Sequence, residues 1–242
     1  MRANTIGMRF VAGCVAAVGF GGSEAIAQQN IACGISTATV NALQSKLATV
    51  IHEPDGNGGL FKPNRMWSAI VDRQGKLCSV INSGNDPWPG SRAIAIAKAT
   101  TANAFSNSAL ALSTANIYGP TQPAGSLYGL NNSNPFNPIF QTQNTGIGFV
   151  PGGIITFGGG VALYQNGQVI GGLGVSGDTS CADHAISYRM RHLAALDATP
   201  GGGVGPNGTD NISYYAIGTT AATLDPSQFK QPHCLGAGDI TP

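Results

Sequence analysis

The chain has 242 residues, of which 42% are hydrophobic and only 10% charged, with a formal net charge of +1. That is enough apolar material for one buried core. It excludes the basic footprint of a nucleic-acid binder, and it leaves no field that would gather charged substrates from a distance.

Residues 1–27 read as a signal peptide: Arg2 and Arg9 give a basic start, "FVAGCVAAVGF" an apolar middle, and Ala25-Ile26-Ala27 an A-x-A cleavage site. A lipoprotein box ending at Cys14 is the alternative, although Arg9 interrupts the apolar run before it. No later run reaches the roughly 18 apolar residues of a membrane span. The expectation is a periplasmic or secreted protein whose mature chain begins at Gln28. Residues 28–242 then form a single domain with a loop-rich C-terminal extension.

In "ISTATVNALQSKLATVIHE" the residues Val40, Leu43, Leu47, Val50 and Ile51 share one helical face behind an N-cap at Ser36, Thr37 or Thr39. "MWSAIVDRQGKLCSVIN" predicts two strands joined by a turn at residues 72–75, and "SRAIAIAKATTANAF" predicts an alanine-rich helix. Residues 106–153 have no sustained period, and a loop of that length is usually functional or engaged with a partner. "GGVALYQNGQVIGGLGVSG" predicts a second hairpin, with Asn166-Gly167 as a type I′ turn. A third helix follows in "SCADHAISYRMRHLAALD", and the tail is loop-like with one candidate strand at "ISYYAI". This order implies α/β (α+β) architecture, an antiparallel sheet with helices packed on it and a long irregular insertion.

Two hairpins, the "SRAIAIAKATTANAF" helix between them, and "GVSGDTSCADH" after the glycine run together resemble the GlcG/HbpS-like haem-binding (haem-degrading domain) family. The resemblance covers residues 35–196 without most of 118–153, and "WPGSR" and "GVSGDTSCADH" are similar to its exported branch. It implies a profilin-like fold, homo-oligomers, and in some members a bound haem or corrinoid. Carry-over from the family suggests a pocket role for Lys98 and Thr101, with Arg92 at the helix entrance. An anionic flat ligand beside that helix would be expected to approach the backbone of Gly158, Gly159 and Gly160 closely.

The residues themselves allow several chemistries. Gly174-Val175-Ser176-Gly177-Asp178 lacks the second glycine of a nucleophile elbow, which weakens a hydrolase. Ser180 and Asp183 have the spacing of a capping box, whereas Asp178 and Thr179 sit where helix N-termini orient ligands. On the third helix Ile186, Met190 and Leu193 form one stripe, and His184, Tyr188 and Arg191 lie opposite. His184 is therefore expected to face solvent or a partner subunit, where it is a possible haem-iron ligand with Arg191 near a propionate. His52, His192 and His233 rank below it. Lys98 shares a stripe with Ile94, Thr101 and Phe105, so its ammonium must snorkel out, meet a carboxylate or meet a ligand acid. Tyr118 and Tyr128 in the insertion cover a flat ligand or fill a subunit interface.

Cys33, Cys78, Cys181 and Cys234 follow the cleavage site, and an even count in an oxidising compartment favours two disulfides over a metal site. A first helix antiparallel to the first strand would set Cys33 near Cys78 and leave Cys181 with Cys234. A tail returning to Cys33 is the alternative. The leading expectation is an exported, non-catalytic small-ligand binding protein for haem or a related tetrapyrrole, assembled as a homo-oligomer. A periplasmic enzyme using Lys98 and Asp178 as an acid/base pair, and an oligomeric accessory protein for a partner enzyme or receptor, are the other two readings.

Overall fold

Alternating apolar residues along β1 (Trp67–Asp72), β2 (Leu77–Asn82), β3 (Gly160–Gln165) and β4 (Gln168–Ser176) build a four-stranded antiparallel sheet in the order β2-β1-β4-β3. The computed structural model describes residues 32–84, 88–137, 145–234 and 239–242. The signal peptide expected at residues 1–27 and the box at Cys14 lie outside them. Both expected hairpins are present. Asn166 and Gly167 have φ of 52° and 72°, the positive angles a type I′ turn requires, and Gln165 pairs with Gln168 across it. The hairpins join through β1 and β4, from Trp67 opposite Ser176 to Asp72 opposite Gly171.

Because strand side chains alternate, the sheet has two apolar faces. Ile70, Val161, Leu163, Leu173 and Val175 meet α1 (Thr37–Ser45), α2 (Leu47–Val50) and α4 (Ser180–Leu193). The first predicted helix is thus two, parted at Lys46, with Ser36 as the N-cap accepting from Thr39 N at 3.1 Å. On the other face Trp67, Ala69 and Val71 meet Ala95, Ile96 and Ala99 of α3 (Ser91–Ala104). Here the helix backbone lies almost on the sheet. A Cβ added at Gly174 would stand 2.0 Å from the carbonyl oxygen of Ala95, and one at Gly172 would stand 2.2 Å from that of Ala99.

The insertion packs on its own domain. Phe136 and Phe149 cover the α3 side, and Leu77 N donates to Phe149 O at 2.8 Å while Gly148 N donates to Leu77 O at 2.8 Å. Cys33 is bonded to Cys78 and Cys181 to Cys234, the pairing that the topology favours. The candidate strand at "ISYYAI" reduces to a single bridge between Tyr214 and Gln231. Among the described residues no helix is long and apolar enough to cross a membrane.

One expectation about α4 is corrected. Ile186 and Met190 are in the core as expected, but His184 and Arg191, assigned to the outer face, are 0% and 1% exposed. The C-terminal extension folds over that face, and Asp210, Asn211 and Ile212 supply a second buried side to the helix. Leu193, expected in the apolar stripe, is instead 48% exposed.

Candidate functional site

Lys98 leaves α3 beneath the β3 entrance and reaches the first turn of α4. Its Nζ donates to Asp183 Oδ2 at 2.6 Å and to Val175 O at 3.2 Å, 4.7 Å from the Phe157 ring centroid. Both charged side chains are enclosed. Burial pushes the Lys98 ammonium down and the Asp183 carboxyl up to about 6, while their mutual attraction opposes both shifts. Gly159, at φ +124°, is required here: a Cβ would lie 2.7 Å from Nζ and 2.5 Å from Val175 O. Gly160 approaches as closely, since its Cβ would meet Lys98 O at 2.5 Å. Thr101 Oγ1 donates to Ala97 O at 2.7 Å and accepts from Ile155 N at 3.0 Å, tying α3 to the segment that leads into β3. Lys98, Thr101, Gly159 and Gly160 are therefore brought together, as packed interior.

Asp178 does not meet Lys98. Its carboxylate accepts from Leu60 N at 2.8 Å, Phe61 N at 3.1 Å, Asn64 Nδ2 at 3.1 Å and Thr179 N at 2.7 Å, which holds the loop before β1. The expected capping box is also displaced by one residue. Thr179 is the N-cap, accepting from Ala182 N at 3.2 Å, while Ser180 Oγ accepts from Gln231 Nε2 at 2.7 Å. Asp183 still reaches back, with Oδ1 accepting from Asp178 N at 3.1 Å.

Under the tail, Arg191 forms two hydrogen bonds of 2.6 Å with the Asp210 carboxylate and a third, 3.0 Å long, with Ala162 O. That pairing takes Arg191 away from the propionate role. His184 Nε2 lies 3.1 Å from Asn211 Oδ1 and 3.1 Å from Ile212 N. Desolvation pushes its pKa down to about 4, so the imidazole is neutral at pH 7. As a haem-iron ligand His184 does not fit, because Nε2 is engaged and Nδ1 is enclosed.

Of the open places on the surface among the described residues, two are lined by an arginine. The first is a groove of about 450 Å³ on the outer side of α4, lined by Tyr188, Arg189, His192, Leu193 and Asp197. The helix ends in a Schellman turn, with Leu196 N donating to Arg191 O at 3.1 Å, Ala195 N donating to His192 O at 2.9 Å and Ala195 at φ 54°. This turn carries Asp197 back to His192, whose Nδ1 meets Asp197 Oδ2 at 2.5 Å. The histidine side chain is 72% exposed, and its Nε2 has no hydrogen-bond partner among the described residues. Sequence reasoning ranked His192 low. The signal was a histidine followed five positions later by an aspartate across a helix end. The second place is a cavity of about 110 Å³ at the start of α3, where Arg92 meets Trp67, Ile81, Asn82 and Ile147.

The only cluster of three potential metal ligands among the described residues is Cys33, Asp72 and Cys78, and its two sulfurs are joined in the disulfide. Asp72 there accepts from Gly34 N at 2.8 Å and from Gln74 N and Lys76 N at 3.0 Å. It closes the first hairpin.

The haem-degrading protein HbpS-like family matches residues 62–190, which span β1, β2, α3, β3, β4 and most of α4. The chain belongs to the HbpS-like family. Klebsiella pneumoniae protein ORFY, of family DUF336, is similar in fold, at 24% identity over 66% of this chain and 90% of that one, with a TM-score of 0.50. The haem complex of PduOC is similar at 23% identity over 66% of this chain and 94% of that one, with a TM-score of 0.49. No curated protein matches the chain.

Proposed function

We propose that this HbpS-like protein is an exported binding protein for haem or a related tetrapyrrole, seated in the groove on the outer side of α4. The observation that carries this reading is the His192–Asp197 pair. A carboxylate on Nδ1 fixes the ring and its tautomer and leaves Nε2 free, the arrangement favoured for a metal-binding imidazole. The groove volume falls in the range of small-molecule sites. Tyr188 and Leu193 offer it apolar surface, and Arg189, already paired with Asp55 at 2.6 Å, places a guanidinium at its rim. A haem held there supplies an iron centre, and the chain supplies orientation through His192 and Asp197. Export is supported by the pattern of residues 1–27 and by the two disulfides. Homo-oligomerisation is supported by exposed Trp88, Tyr128 and Val150, apolar surface that association would cover.

Titration of the oxidised protein with ferric haem tests the site. The wild type is expected to give a saturable shift of the Soret band, lost or displaced in His192→Ala and weakened in Asp197→Asn. An unchanged Soret position and affinity in His192→Ala would remove the groove from the function.

A further inference from the structure

Arg92 sits on the first turn of α3 and is 3% exposed. Its Nη2 donates to Thr145 O at 3.1 Å, but Nε and Nη1 are buried without a hydrogen-bond partner among the described residues. No carboxylate among the described residues lies within ion-pair distance of it, in contrast to the buried Lys98 and Arg191. A cation taken out of water without a counter-charge is strongly unfavourable, and buried donors are almost always satisfied. The helix adds to the imbalance. The N-terminus of a helix already carries positive potential, yet this one has no side-chain cap and no acidic residue in its first turn. Both features require an anion at the same place, and the cavity of about 110 Å³ beside the guanidinium gives room for one.

The walls select the kind of anion. Trp67, Val80 and Ile147 are apolar, and Asn82 and Thr145 are the other polar residues that line it. A dianion such as phosphate would meet a single positive charge, with only Asn82 and Thr145 as further polar residues, leaving charge uncompensated. A carboxylate matches the single positive charge and the planar donors, and a short alkyl group matches the walls. We propose that the cavity at the start of α3 binds a small monocarboxylate, with the Arg92 guanidinium as its anchor and Trp67, Val80 and Ile147 around its alkyl end. This site shares no lining residue with the α4 groove, so it stands independently of the tetrapyrrole reading.

The test is thermal unfolding and NMR titration of the disulfide-bonded protein with sodium acetate and sodium propionate, against sodium chloride and sodium phosphate at matched ionic strength. The expected result is a saturable response to the carboxylates, stronger for propionate than for acetate, with an affinity at least ten-fold above that for chloride or phosphate. Arg92→Met should abolish it. Should that variant fail to fold, Ile147→Trp keeps the guanidinium and fills the cavity mouth, and the response should again be lost. Asn82→Asp should place a resident carboxylate in the cavity, stabilising the protein and cancelling the response. A carboxylate response absent in the wild type, equalled by chloride or phosphate, or retained in Arg92→Met or Ile147→Trp would overturn the proposal.

Discussion

Lys98 and Arg92 stand on the same helix, both removed from water, and their surroundings are opposites. Lys98 is met by Asp183, a backbone carbonyl and an aromatic face, whereas Arg92 keeps two nitrogens without a partner among the described residues, beside a cavity. A charge whose demands are met inside the chain is part of the scaffold. A charge left wanting points to something outside the chain. Burial alone does not separate the two, since both are almost fully enclosed.

The largest expected effect lies on the paired side. Lys98→Met strands the enclosed Asp183 carboxylate and should cost about 3–5 kcal/mol of stability, read by urea unfolding at pH 7.5. The attraction of Lys98 holds the Asp183 carboxyl down at about 6, so in the variant the carboxyl takes up its proton above that pH, and the deficit should shrink as pH falls toward 6. A deficit independent of pH would break the contrast.

Next comes His184, whose pKa falls to about 4 from the ordinary 6.5. The unfolded chain binds this proton at higher pH than the folded one. The stability associated with the neutral ring is therefore complete above 6.5 and is lost as pH falls toward 4. The stability difference between wild type and His184→Gln should change over that window by at most about 3 kcal/mol, always to the disadvantage of the wild type on acidification. Paired melts across pH 4–7 check it.

On the unpaired side, Arg92→Met in chloride buffer should leave stability unchanged or raise it by up to about 1 kcal/mol, because it removes a desolvated charge that no carboxylate among the described residues compensates. A loss as large as that of Lys98→Met would show that the two cations do the same work. The smallest effect belongs to Asp197→Asn. That pair is 72% and 36% exposed, so folding should change by less than about 1 kcal/mol even where haem affinity falls.

The hairpins and α3 were legible because their signals are local: strand alternation, Asn166-Gly167, and the run from Ser91 to Ala104. The need of Lys98 for a partner was legible from its stripe, but Asp178 and Asp183 both lie near the start of α4, and spacing alone could not choose between them. The burial of His184 was out of reach. It depends on Asp210, Asn211 and Ile212, which come from an irregular tail whose path has no periodic signature and is fixed by the pairing with Arg191 and the Cys181–Cys234 bond. The His192–Asp197 pair was out of reach for a similar reason, since only the backward turn at Ala195 brings the two together.

The contact of α3 with Gly172 and Gly174 limits how this fold can change over time. In an ordinary core a larger side chain can be accommodated by a smaller neighbour, so mutations drift in compensating pairs. Here the neighbours of the missing Cβ atoms are the peptide oxygens of Ala95 and Ala99. Peptide oxygens cannot be exchanged for anything smaller, so no second substitution restores what Gly174→Ala would displace. The helix would have to lift as a whole, carrying Arg92 and Lys98 with it. Variation is thereby directed away from this seam and into the insertion and the tail.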